Sequence, residues 1–244
     1  MTNVLMVVSG AHAWTLADGS AHPTGFWAEE LVAADRAFRD AGWTVEIATP
    51  GGRAPQVDPN SLSPQYTGAD EAALADLRAH LDALGDELTR PTALEEVDVL
   101  SFDALFLPGG HGPMEDLAVL PLMGETIVAM LDAGRPVAAV CHASAALLSA
   151  DRPDGSWAFD GWRLTGFTNA EEEAVGLAPL AAWLLEDRLR ERGAQFASGE
   201  LWAPFLVADR NLYTGQNPAS SGPLAEHVVG VVGAAAAPSA TSTR

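Results

Sequence analysis

Cysteine is almost missing from this chain, and basic residues are scarce. Its 244 residues carry 33 acidic against 13 basic side chains, a formal net charge of −20, with a pI near 4.4. Such a surface repels a phosphate backbone, which argues against nucleic-acid binding. An anionic membrane surface is disfavoured for the same reason. Solubility is the simplest role for the acidity. A single cysteine excludes an intramolecular disulfide. No apolar run approaches the length of a membrane span. The start, Met1-Thr-Asn-Val-Leu-Met-Val-Val, lacks the basic n-region of a signal peptide, so cytoplasmic residence is expected. The six histidines are scattered without metal-ligand spacing, and neither a metal nor a cofactor is expected. Internal repeats and a linker wide enough to separate two domains are also absent.

What is present points to a folded α/β protein. Hydrophobic residues make up 48% of the chain and the mean hydropathy is +0.09, ample for one large core. A single α/β domain over residues 1–233 is expected, with 234–244, rich in Ala, Ser, Thr and Pro, as a flexible tail.

The chain is organised around Pro136-Val-Ala-Ala-Val-Cys141-His142-Ala-Ser-Ala-Ala-Leu-Leu148. Val137 to Val140 has the pattern of a buried parallel strand, and Ala143 to Leu148 is rich in helix formers. Cys141 falls at the break. A nucleophile is displayed at such a strand-to-helix turn, above the carboxyl end of a sheet. The helix start offers N–H groups and a positive dipole end, so an unusually acidic thiol is expected. Taken alone, a lone cysteine is more ordinarily a small buried hydrophobe.

Other stretches supply partners. A helix is expected from Thr24-Gly25 to Asp40, with Phe26, Trp27, Leu31, Ala34 and Phe38 on its apolar face. Glu30 shares that face, where a carboxylate needs a partner or a proton; the alternative is a Glu30 solvated at its rim. Strands are expected at Val4–Ser9, Trp43–Thr49, Ala104–Leu107 and Leu164–Thr168, and a hairpin over Phe205–Tyr213. Asp151–Trp162 reads as a small hairpin, and Thr92–Val97 as a short helical lead-in. Helices are expected over Glu71–Leu84, Pro121–Ala133, Pro179–Arg192 and Pro223–Val232. Pro108-Gly109-Gly110-His111-Gly112 lacks the Lys-Ser/Thr of a phosphate loop. Its glycines let N–H groups face a pocket, so Gly110 could supply one oxyanion donor and His142 the other. An ordinary tight turn fits the glycines equally. Asn169 could cap a helix carrying Glu171, Glu172 and Glu173, three acids that otherwise only complement its dipole.

Together these residues resemble the ThiJ/PfpI superfamily, with its class I glutamine-amidotransferase-like fold, and within it the heat-shock-inducible chaperone and glutathione-independent glyoxalase branch. The matching stretches are Thr24-Gly-Phe-Trp-Ala-Glu-Glu30, Leu107-Pro-Gly-Gly-His-Gly-Pro113, Ala139-Val-Cys-His142, Thr165-Gly-Phe-Thr-Asn-Ala-Glu-Glu172 and Thr214-Gly-Gln-Asn-Pro-Ala-Ser-Ser221. The resemblance implies a flavodoxin-like three-layer sandwich: a mostly parallel sheet, helices on both faces, and small insertions. It implies Cys141 as nucleophile, His142 as its histidine, Glu172 as the acid orienting that histidine and Glu30 as the carboxylate beside the thiol. Gly109, Gly110, His111 and His142 would line the oxyanion and substrate site. The implied substrate is a 2-oxoaldehyde such as methylglyoxal, the implied assembly a homodimer. A thiol-dependent amidase, peptidase or deglycase is one alternative; a holdase chaperone or stress sensor is another. Two positions depart from the family pattern. Ala143-Ser144 follows Cys-His where Gly-Pro is usual, and Glu115 stands where an aromatic is common.

Overall fold

The computed structural model describes residues 1–236. A seven-stranded sheet forms its centre. In chain order the strands are β1 (Asn3–Val7), β2 (Thr44–Thr49), β3 (Thr92–Ala93), β4 (Ala104–Leu107), β5 (Val137–Val140), β6 (Leu206–Asp209) and β7 (Leu212–Gly215). Their order across the sheet is β6-β7-β5-β4-β1-β2-β3. Every neighbouring pair is parallel except the β6–β7 hairpin. Helices cover both faces, so β1, β4 and β5 are buried on both sides and read as continuous apolar runs. The fold is the expected flavodoxin-like α/β sandwich.

The principal helices are α1 (Ala28–Asp40), α2 (Glu71–Leu84), α3 (Pro121–Asp132), α4 (Asn169–Ala174), α5 (Leu185–Glu191) and α6 (Ser221–Ala236). Helix α1 packs along α6, and α2 buries Leu74, Leu81 and Leu84. The expected tail begins inside α6, and its part from residue 237 onward lies outside the described residues. Among the described residues no helix is long and apolar enough to cross a membrane.

Several local expectations give way to tertiary contacts. Residues 24–27 do not join α1; they run extended against two neighbouring loops, with Phe26 N–H donating to Gln56 O and Trp27 N–H to Gly109 O. A side chain on Gly25 would strike Gln56 O at 1.8 Å, so only glycine permits that approach. The segment after β5, Cys141–Ser149, is a 3-10 helix instead of an α-helix. It is nearly all buried, and packing overrides the propensity of its alanines. The helix expected over Pro179–Arg192 is broken. Leu180 and Ala181 pair with Ala17 and Leu16 next to a small hairpin, Ala13–Thr15 with Ala21–Pro23, leaving a 3-10 turn at Ala178–Leu180 and the α-helix α5.

The strand expected at Leu164–Thr168 stops at Leu164, which pairs with Phe196 outside the main sheet. Gly166 must then press within touching distance of Ser144. Asp151–Trp162 holds one bridge, Asp151 to Trp157, and Thr92–Val97 is the short β3 followed by a 3-10 turn. The cap of α4 is Thr168, not Asn169: its hydroxyl accepts from Glu171 N–H, while Glu171 reaches back to Thr168 N–H. This reciprocal capping box was legible as Thr-x-x-Glu.

Candidate active site

Strand β5 ends at Val140, and Cys141 follows with φ of 59°. For a residue with a Cβ this left-handed conformation is strained, of the kind a nucleophile elbow imposes. The turn lifts the sulfur above the carboxyl end of the sheet into a cavity of about 320 Å³. His142, next in the chain, lines the same cavity.

Three side chains form a line. Cys141 Sγ lies 3.4 Å from His142 Nδ1, and His142 Nε2 lies 2.7 Å from Glu172 Oε2. Glu172 can only accept, so Nε2 carries the proton and Nδ1 faces the thiol as acceptor; this tautomer is assigned from the partners. Burial pushes the His142 pKa down, and neighbouring His111 pushes it further, against the opposing pull of Glu172. His142 is therefore neutral at rest and able to take a proton.

Glu172 serves a second histidine. His111 Nε2 lies 3.0 Å from its Oε1. Burial would raise the Glu172 pKa, but the two imidazoles outweigh it and hold the carboxyl well below its ordinary range. His111 is sandwiched between Trp14 and His142, at ring-centroid distances of 4.8 and 3.9 Å. Sequence spacing conceals this cluster, since 111, 142 and 172 come from three separate segments: the loop after β4, the 3-10 helix after β5, and α4. Its ligand atoms lie within 4.8 Å of one another, a donor set that could hold a divalent cation. All three side chains already satisfy one another by hydrogen bonds.

Glu30 occupies the other side of the thiol. It is wholly buried on α1, and its Oε2 accepts from Gly109 N–H at 2.7 Å. Its Oε1 has no conventional hydrogen-bond partner; the Cys141 thiol is the group beside it. Burial drives the Glu30 pKa up to about 8, with the Gly109 N–H opposing. The solvated alternative is thereby excluded. The thiol itself is not acidic as expected. Burial pushes its pKa well up, and Glu30 adds to the shift, outweighing the His142 N–H. A helix start of 3-10 turns buried beside a carboxyl cannot offset the loss of water.

The glycines divide their work. Gly109 cannot be an oxyanion donor, because its N–H is taken by Glu30. A Cβ there would stand 2.7 Å from Val140 O and 2.9 Å from Glu30 Oε2, so glycine lets the loop close over the elbow. Gly110, at φ of 98°, lines the cavity, and its N–H makes no hydrogen bond within the described residues.

Glu171, expected only to complement the helix dipole, is an anchor. Buried beside Glu172, it accepts from Gln216, Asn217 and the Trp202 N–H at 3.0, 2.8 and 3.1 Å. It thus ties α4 to the chain after β7 and to the loop placing Trp202 over the cavity. The departure at Glu115 lies outside the cavity wall, where its carboxylate accepts from Thr15 N–H and hydroxyl. Ser144 donates to Thr165 O, below the cavity.

The DJ-1/PfpI family model matches residues 22–230. The chain is 32% identical over 193 residues to human glutamine amidotransferase-like class 1 domain-containing protein 1, covering 78% of this chain and 81% of that protein. It is 25% identical to glyoxalase 3 of Candida albicans, over 94% of this chain and 98% of that one. To the protein/nucleic acid deglycase HchA of Staphylococcus aureus it is 26% identical, over 93% and 78%. Among solved structures, the rapid encystment protein of Francisella tularensis superposes with a TM-score of 0.84 at 28% identity, over 95% and 99%.

Proposed function

The chain belongs to the DJ-1/PfpI family, and from that premise we propose that it is a glutathione-independent glyoxalase. It would convert 2-oxoaldehydes such as methylglyoxal to 2-hydroxy acids with Cys141, His142, Glu172 and Glu30. The observation that carries the proposal is the pairing of a thiol with a buried, proton-holding carboxyl, Glu30, whose pKa is about 8. An isomerisation that moves a proton between adjacent carbons needs a group able both to give and to take one near neutral pH.

In this mechanism the Cys141 thiol passes its proton to neutral His142 Nδ1 as sulfur attacks the aldehyde carbon, and Glu172 steadies the imidazolium. The carbonyl oxygen, developing negative charge, is held by the N–H groups of Gly110 and His142, then takes the proton of Glu30 to give a hemithioacetal. A base removes the proton from that carbon, forming an enediol. Glu30, ionised by that transfer, would be this base, and its return of the proton to the neighbouring carbon yields a 2-hydroxy thioester. Water cleaves the thioester, releasing the 2-hydroxy acid and the thiol. The net reaction adds one water to the 2-oxoaldehyde.

The test is product analysis. Purified protein incubated with methylglyoxal, without thiol cofactor, should yield lactate in amounts exceeding the enzyme many-fold. No lactate above the Cys141→Ala control would reject the proposal. A second reading, removal of aldehyde adducts from proteins, is supported by the similarity to the Staphylococcus deglycase, as close as that to the Candida glyoxalase. Release of preformed adducts faster than free aldehyde is consumed would favour it.

A further inference from the structure

The cavity wall carries two polar atoms that the mechanism does not use. Trp27 Nε1 and His22 Nε2 are both shielded from solvent, and neither has a hydrogen-bond partner. Both residues line the cavity that holds Cys141. They arrive on one extended segment, residues 22–27, whose Trp27 N–H is fixed to Gly109 O at 2.9 Å. The same backbone packs against Gly110, where an added Cβ would meet Trp27 N at 2.8 Å. His22 meets His111 edge-on, at a ring-centroid distance of 6.4 Å. Unpaired buried polar groups cost stability, and two of them in one substrate cavity point to a ligand that pairs them.

Their chemistry narrows the ligand. The Trp27 indole N–H only donates, so it needs an oxygen acceptor. Burial and His111 push the His22 pKa down, so its ring is neutral and Nε2 can accept or donate according to tautomer. A hydroxyl suits either atom, accepting from Trp27 or donating to His22. A carboxylate does not fit as well, because Glu29 and Asp58 share the cavity wall. The volume agrees. About 320 Å³ falls at the lower end of the range for small-molecule pockets and far exceeds a three-carbon aldehyde.

On the glyoxalase reading above, we infer that Trp27 and His22 form a second polar anchor for a hydroxyl remote from the reacting carbons, and that the preferred substrates are longer, hydroxylated 2-oxoaldehydes of the kind left by sugar breakdown. The probes are two six-carbon compounds of equal length: 3-deoxyglucosone, hydroxylated at its far end, and 2-oxohexanal, which is not. Wild-type kcat/KM should favour the hydroxylated compound by about tenfold, the scale of one or two hydrogen bonds. Trp27→Phe, which keeps an aromatic ring, should remove most of that preference while methylglyoxal turnover stays within about twofold. His22→Phe, on the small hairpin, should do the same.

Binding is measured separately in Cys141→Ala protein, which cannot form the hemithioacetal. Calorimetry should there show the same preference, lost when Trp27→Phe is added. Turnover of both compounds with no preference in either assay overturns the anchor and leaves the glyoxalase reading intact. A binding preference without any turnover overturns the glyoxalase reading and leaves the anchor. Equal losses for both compounds in Trp27→Phe would make Trp27 merely structural and overturn the inference.

Discussion

Glu30 enters the site on a thirteen-residue helix, surrounded by apolar neighbours and touched by one backbone N–H. Glu172 enters on a six-residue helix and meets two imidazoles. Both carboxyls are buried, at 0% and 3% exposure, yet their pKa values move in opposite directions. One is raised to about 8, the other held well below the usual range. Burial alone therefore does not fix the state of a carboxyl: it prevails at Glu30, where one N–H opposes it, and is outweighed at Glu172 by two imidazoles. The contrast gives one thiol a proton-holding acid on one side and a permanent anion, acting through His142, on the other.

Removing the sulfur that both sides serve has the largest effect. Cys141→Ser should lower methylglyoxal turnover by at least about 10³-fold, with the circular dichroism spectrum unchanged. Next comes Glu30→Gln. It keeps a hydrogen-bond donor but cannot relay a proton, so turnover should fall by about 10²- to 10³-fold while iodoacetamide still alkylates Cys141. Its stability tells the same story. A folded pKa of about 8 lies above the ordinary carboxyl value of 4.5, so the wild-type contribution is fully present below the unfolded pKa and lost as pH rises to about 8. Denaturant titrations should show stability shifting toward Glu30→Gln by about 1 kcal/mol per pH unit across that window, then levelling.

Glu172→Gln should cut turnover by about 10²-fold, because the His142 imidazolium loses its counter-charge. The pH sign is reversed here. A depressed folded pKa stabilises above the ordinary carboxylate pKa, and that stability is lost as pH falls through the folded value. Acid unfolding should consequently be less steep in Glu172→Gln than in wild type. Glu171→Ala should act mainly on stability, by about 2–3 kcal/mol from the lost capping box and side-chain bonds, read as a lower denaturation midpoint. The smallest effect belongs to exposed Glu173→Gln, within about 0.5 kcal/mol and with turnover unchanged. Equal small effects at 171, 172 and 173 would return all three to dipole complement.

The sequence showed the sheet well because a strand buried on both faces is a continuous apolar run, as at Val137–Val140. The elbow was legible for a related reason, since small residues crowd Cys141. Contacts between distant segments were hidden. Nothing local foretells that residues 24–27 stay extended to dock on Gly109, or that the chain breaks from helix at Ala181 to pair with Leu16. In the site, Glu30 could be read from its place on an apolar helical face. The sharing of Glu172 by His111 and His142 could not, because three distant segments meet only in space. The helix start taken alone points to an acidic thiol; burial and Glu30, visible only in the fold, act against it. The role of Glu171 is hidden because a run of acids reads as solvated, and its donors, Gln216, Asn217 and the Trp202 N–H, come from distant segments.

The central claim is that one carboxyl beside the thiol holds its proton at neutral pH while the other is ionised. Infrared difference spectroscopy of the protonated-carboxyl stretch, followed from about pH 6 to about pH 10, reads this directly. A band present at the acid end should titrate away near pH 8, the value for Glu30. It should vanish in Glu30→Gln and persist in Glu172→Gln. A band that survives Glu30→Gln, or is lost only in Glu172→Gln, would contradict the account.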